Sequence, residues 1–238
     1  QVFRKEAAER QLHELGEALG RAGVAPIVYK GLDFQALCYP EAYPRAFSDL
    51  DIIVRREDTA RAAAALEAAG YSAESGARPL DYYRCFHLHA SYVHPDHRPC
   101  VELHWALDSP FGDALDPIPL LFDAAERGGP FGADVLRPAP IDALALMAIH
   151  LEKHLGLSAT LPSAEARLKS VIDESGLIWV LDIVRWMRTQ SAAADGDAVL
   201  RRVRQLGAER SLVIALRLAR DLDPPSLRGW ACELAARL

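Results

Sequence analysis

The sequence predicts an α/β (α+β) protein in two parts: a mixed β-sheet backed by helices over residues 1–138 and an all-helical domain over 139–238. Three observations predict it. Strand-like apolar runs alternate with helical stretches up to about residue 105, six prolines (Pro110, Pro117, Pro119, Pro130, Pro138 and Pro140) break up 106–140, and beyond Pro140 the apolar spacing is helical throughout. In order, a helix over about 3–22 ends near Gly23, and a strand at 26–30 turns at Gly31 into a short helix reaching Cys38. A strand follows at Asp49–Val54, then an alanine-rich helix over 58–69 with Asp58 as its cap and Gly70 as its stop. A strand from Tyr71 and two more at 84–93 and 99–105 complete the sheet, the last two joined by His94-Pro95-Asp96-His97-Arg98 as a hairpin loop. Helices are expected over about 141–156, 163–172, 174–190, 196–206, 209–222 and 225–237. Leu177–Trp186 is apolar nearly all round, which marks a buried helix, and Asp182 inside it calls for an ion-pair partner.

Composition narrows the function. The chain is 238 residues long and 50% hydrophobic, enough for one large core or two smaller ones. The first 138 residues carry 14 Lys and Arg against 21 Asp and Glu, and the remainder 13 against 12, within an overall charge of −6. The acidic first part argues against extended non-specific nucleic-acid binding, which requires many neutralised phosphates. Arg201, Arg202, Arg204, Arg210, Arg217 and Arg220 leave a local RNA contact open, but read first as the solvated face of one or two helices. Cys38, Cys85, Cys100 and Cys232 lack Cys-x-x-Cys spacing, which fits a reducing cytoplasm. No apolar run approaches the ~20 residues that span a bilayer, so no membrane partner is expected.

The chemistry-bearing residues centre on Ser48-Asp49-Leu50-Asp51. Strand alternation turns Asp49 and Asp51 to one face while Leu50, Ile52 and Val54 turn to the other. Two carboxylates held that close repel unless a cation compensates, and hard oxygen ligands suit Mg²⁺. In Val101-Glu102-Leu103-His104-Trp105 the same alternation puts Glu102 and His104 on a polar face that could lie across from the Asp pair. Upstream, strand, glycine and helix start at Lys30-Gly31 form a turn where backbone amides and the Lys30 ammonium suit a phosphate. Histidines cluster between His87 and His104, and His150 and His154 lie one helical turn apart, which raises a zinc alternative, although His150-Leu151-Glu152-Lys153-His154 lacks the order of the metalloprotease motif.

The succession Lys30-Gly31, Tyr39-Pro40, Arg45, Ser48-Asp49-Leu50-Asp51, Gly70-Tyr71 and Val101-Glu102-Leu103-His104-Trp105 resembles the uncharacterised nucleotidyltransferase family of the polymerase β-like superfamily. The resemblance covers roughly residues 24–108, with a looser echo in the helices after 140. It implies a nucleotidyltransferase domain over 1–138, with Gly31 cradling a triphosphate and Asp49, Asp51 and Glu102 as metal ligands and catalytic acids. The superfamily's usual Gly-Ser or Gly-Gly turn is Lys-Gly here. The implied reaction moves an NMP group from an NTP donor to an acceptor hydroxyl and releases pyrophosphate. Two Mg²⁺ ions, or Mn²⁺, would neutralise the triphosphate and activate the hydroxyl. Lys30, Gly31, Arg45, Ser48, His104 and, from the helical domain, Lys153 are the candidate nucleotide contacts. A small-molecule acceptor is favoured, with a protein side chain or an RNA end as alternatives. A metal-dependent phosphohydrolase would use the same acids on water, and an idle nucleotide-binding or interaction module is the non-enzymatic rival.

Overall fold

The computed structural model describes residues 2–39, 45, 47–74, 78–96, 98–107, 116–156, 158–174, 176–191, 194–227 and 229–235. Pro40 of the Tyr39-Pro40 step, His97, Pro110 and the end of the last expected helix lie outside them. The chain divides into two compact units, Gln1–Ala139 and Pro140–Leu238.

The first unit is mixed α/β. Its helices are α1 (Val2–Arg21), α2 (Gly31–Cys38), α3 (Thr59–Ala68), α4 (Leu80–Phe86) and α5 (Ile118–Ala124). Its strands are β1 (Ile27–Tyr29), β2 (Asp49–Ile53), β3 (Ser72–Ala73), β4 (His89–Val93), β5 (Cys100–His104), β6 (Glu126–Arg127) and β7 (Leu136–Arg137). Among the described residues these make one sheet in the order β3-β4-β5-β2-β1-β7-β6, with β2 parallel to β5, β1 parallel to β7 and the other neighbours antiparallel. Alternation divides the central strands cleanly. Val28, Leu50, Ile52, Ala90, Tyr92, Val101 and Leu103 join Leu12, Leu15 and Leu19 of α1 and Ala62, Ala63 and Leu66 of α3 in one buried cluster. The polar residues of β2 and β5 are left on the opposite face.

Three local expectations differ from the structure. Residues 84–86 are helical, and the strand begins only at His89. Leu80 and Tyr83, three residues apart, both pack against the core, a helical spacing that a short aromatic run conceals. The proline-rich stretch contains more order than its composition suggests, because Pro117 and Pro119 sit at the start of α5, where a missing N–H is harmless. The strand after it also joins the sheet, Leu136 of β7 pairing with Ile27. Asp58 precedes α3 but makes no side-chain cap; its carboxylate pairs with Arg61 instead.

The second unit is helical among its described residues: α6 (Pro140–Leu155), α7 (Ala164–Asp173), α8 (Leu177–Thr189), α9 (Gly196–Gln205), α10 (Glu209–Leu222) and α11 (Trp230–Ala235). The single helix expected over 225–237 is a 3₁₀ turn at Pro224–Ser226 followed by α11, separated by Gly229 at φ 53°. Helix α10 is central, burying Leu212, Ile214, Ala215, Leu216, Leu218 and Ala219 and touching each of the other five helices. Asp182 is fully buried within α8. Arg202 meets Asp142 through two nitrogens at 2.6 and 2.7 Å, and Arg167 grips Asp221. No described helix is long and apolar enough to cross a membrane.

Candidate active site

The polar face of the sheet gathers residues from four adjacent strands. Register sets Tyr29 of β1 beside Asp51 of β2, Asp51 beside Glu102 of β5, and His104 of β5 beside His89 of β4. Ligand oxygens of Asp49, Asp51 and Glu102 lie within 4.8 Å of one another. Lys30, at the mouth of the turn, places Nζ 2.7 Å from Asp51 Oδ1. His104 Nε2 lies 3.1 Å from the same oxygen and 3.2 Å from Glu102 Oε2, donating its N–H between two carboxylates. Asp51 is 2% exposed, so this acid meets its partners in a low-dielectric setting where each contact counts.

The three acids are not equivalent. Burial, and then the neighbouring Asp51, push the Asp49 carboxyl above its ordinary range, with Lys30 opposing. The hydrogen bond from His104 holds Glu102 well below its ordinary range, against the cost of burial. Burial, followed by the charges of Asp51, Glu102 and Asp49, drives the Tyr29 phenol well up, so it stays neutral. Three carboxylates thus share one ammonium and one imidazole at hydrogen-bond distance, with a second imidazole, that of His89, 3.9 Å from Glu102. A divalent cation suits that demand: it would relieve the repulsion that raises Asp49, and the converging oxygens are the hard ligands Mg²⁺ or Mn²⁺ takes.

The turn holds a feature that the sequence concealed. Gly31 is the first residue of α2 and has ordinary φ; a Cβ there would meet Phe47 Cβ at 3.3 Å. The strained residue is Lys30, at φ 56° and ψ −134°, a region glycine enters freely and side-chain-bearing residues avoid. Lysine therefore holds a backbone conformation that favours glycine, and its ammonium reaches Asp51.

The other predicted contacts differ in burial. Arg45 is buried, not a surface-loop residue, and its backbone N–H donates to Gln35 Oε1 on α2. Ser48 is exposed, one residue before β2. Lys153 is exposed on α6 of the second unit. There His150 and His154 form a ring cluster with Trp179, centroids 4.8 and 5.0 Å from the indole, which is aromatic packing. Of the Arg-rich stretch, Arg201, Arg202, Arg204 and Arg210 each pair with an acid. Tyr29 and His89 also border the acidic site, where neither residue belongs to the Asp-x-Asp or Glu-x-His pattern. Tyr29 puts its ring edge against His104, 5.3 Å between centroids, and lies under the Lys30 ammonium. Its only signal in the sequence was its place beside Lys30.

Residues 1–223 match the family described as "Uncharacterised nucleotidyltransferase", and the chain belongs to that family. That family places it among the transferases. No curated protein matches the chain. Among solved structures, the solution structure of the antibiotic-resistance factor ANT(2'')-Ia is similar at TM-score 0.45 and 11% identity, over 79% of this chain and 95% of that one. A crystal structure of ANT(2")-Ia in complex with adenylyl-2"-tobramycin is similar at TM-score 0.43 and 11% identity, over 79% of this chain and 99% of that one.

Proposed function

We propose that the protein transfers a nucleoside monophosphate from a nucleoside triphosphate to an acceptor hydroxyl, using Mg²⁺ and releasing pyrophosphate. The acceptor oxygen bonds to the α-phosphorus, the bond from that phosphorus to the bridging oxygen of pyrophosphate breaks, and the hydroxyl proton leaves to solvent. The observation that carries this reading is the convergence of Asp49, Asp51 and Glu102 from two parallel neighbouring strands beside the Lys30-Gly31 turn. Asp49, Asp51 and Glu102 would hold Mg²⁺, as a pair of ions, or Mn²⁺, which would supply charge neutralisation at the triphosphate and activation of the hydroxyl. Gly31 opens the backbone to the phosphates, with Lys30 and Arg45 supplying positive charge and Ser48 a hydroxyl at the rim. Glu102, held below its ordinary range by the hydrogen bond from His104, is assigned as the third ligand and as a candidate acceptor of the hydroxyl proton. His104 fixes the mutual orientation of Asp51 and Glu102.

The chemistry belongs to domain 1–138, ahead of the helical domain 139–238. The acidic excess of the first part supports a small neutral or cationic acceptor over an RNA end or a protein surface. The cysteines Cys38, Cys85, Cys100 and Cys232 are free thiols, in keeping with a cytoplasmic setting. Calorimetry with ATP, GTP, CTP and UTP in Mg²⁺, on wild type and Asp51→Asn, tests the reading. Binding of one triphosphate by the wild type, lost in the folded variant, is expected. Absence of binding to every triphosphate would refute it, and release of free NMP without acceptor would redirect it to hydrolysis.

A further inference from the structure

Beside the all-carboxylate group, on its β4 side, a second set of ligands converges. His89, Glu102 and His104 each offer one ligand atom within 4.8 Å of the others. His104 Nε2 is 3.2 Å from Glu102 Oε2, and His89 Nε2 is 3.9 Å from Glu102 Oε1. Ligands about 2.0–2.1 Å from a tetrahedral ion stand roughly 3.3 Å apart, so this spacing is close to what a small ion requires. The placement follows from the sheet: antiparallel register sets His89 opposite His104, and Glu102, two residues back, shares their face. The rings of the two histidines lie 4.7 Å apart.

We propose that His89, Glu102 and His104 form a transition-metal site, distinct in its ligands from the Asp49–Asp51–Glu102 group and bridged to it by the Glu102 carboxylate. Two imidazoles and one carboxylate are a donor set for Zn²⁺, Co²⁺ or Mn²⁺; Mg²⁺ prefers oxygen alone. Three protein ligands leave a coordination position open, the arrangement of reactive metal sites, not of closed structural ones. A cavity of about 270 Å³ reaches one of the three ligands, His89, with His87, Ser91, Tyr83, Tyr92 and Glu74 in its walls; Glu102 and His104 do not line it. In the metal-free protein His104 Nε2 donates to Asp51 and Glu102; binding an ion there exchanges that hydrogen for the metal. The site shares Glu102 with the proposed transferase centre but stands on its histidines, whatever reaction the acids perform.

The test is titration of the metal-free full chain with Co²⁺, followed by visible d–d absorption, with Zn²⁺ and Mg²⁺ compared by calorimetry. One equivalent of Co²⁺ is expected to give the intense bands of a low-coordinate N/O site, with Zn²⁺ at least about 100-fold tighter than Mg²⁺. His89→Gln is expected to weaken Co²⁺ binding by roughly 10–100-fold or more, while Asp49→Asn leaves it within about threefold. Hyperfine-shifted imidazole N–H resonances from two histidines in the Co²⁺-loaded wild type give the same answer without mutation, should His89→Gln fail to fold. Loss of Co²⁺ binding in Asp49→Asn with none in His89→Gln, or the lack of shifted imidazole resonances, would overturn the assignment. Because Asp49→Asn removes a ligand of the proposed transferase centre alone, failure there and failure here are separable.

Discussion

In the helical unit an arginine fork faces a single carboxylate, Arg202 on Asp142 and Arg167 on Asp221, whereas on the sheet of the first unit three acids, Asp49, Asp51 and Glu102, gather around Lys30, His104 and His89. Both groups are substantially buried, yet only the first is balanced. A forked arginine on a carboxylate satisfies donors and acceptors together and closes the account of charge at that point. The sheet acids retain an excess of negative charge that a further cation would relieve. Buried charge is thus no marker of function by itself; its imbalance is.

Removing an acid from each group separates the two. Asp49→Asn is expected to lower nucleotidyl transfer roughly 10³-fold, about 4 kcal/mol of barrier, because an interaction with developing charge is lost. Its urea midpoint should stay level or rise, since the substitution removes one of three mutually repelling carboxylates. A clear drop in stability would mean that the sheet acids are structural after all.

Asp33 sharpens the contrast, being paired one to one and still burdened. Arg137 Nη2 lies 3.0 Å from its carboxylate, but burial outweighs that pairing and lifts its pKa from 3.8 to about 7. The folded value lies above the unfolded one, so the folded protein keeps a proton that the unfolded chain releases. The stability this group contributes is full below about pH 4 and is lost as pH rises to about 7, by at most ~4 kcal/mol. Urea unfolding at pH 5 and pH 7.5 should show that decline in the wild type and a flatter profile in Asp33→Asn.

In the helical unit, Asp142→Asn removes the buried carboxylate that two Arg202 nitrogens hold and should cost about 3 kcal/mol of stability. The transfer chemistry proposed for the first unit should be retained in protein that remains folded. Chemical denaturation beside single-turnover assays reads both quantities.

What the sequence disclosed follows the range of the interactions involved. The shared face of Asp49 and Asp51, and of Glu102 and His104, comes from a two-residue period between apolar neighbours, and that is local. The mixed sheet and the helical remainder were legible for the same reason. The pairing of β7 with β1, and the arrival of His89 opposite His104, depend on which strands become neighbours, and no local spacing encodes that. Residues 84–86 were misread because a three-residue stretch of aromatic and polar side chains fits either period, and the deciding contacts of Leu80 and Tyr83 are tertiary. Asp33 gave no sign of its burial, since a carboxylate in the first turn of a helix is ordinarily solvated.

The smallest effect tests whether the sheet site holds stored strain as well as excess charge. Lys30 sits at φ 56° and ψ −134°, where a side chain costs of order 1–3 kcal/mol and glycine far less. Replacing it confounds two changes, because the ammonium on Asp51 is also lost. Two substitutions separate them. Lys30→Met removes the charge and keeps the backbone penalty; Lys30→Gly removes both, at the expense of a more flexible unfolded chain. After that entropic correction Lys30→Gly should remain about 1 kcal/mol more stable than Lys30→Met, while both lose triphosphate affinity alike. Equal stability of the two variants would show that the turn is unstrained, leaving charge imbalance as the one property that sets this region apart from the paired arginines of the helical unit.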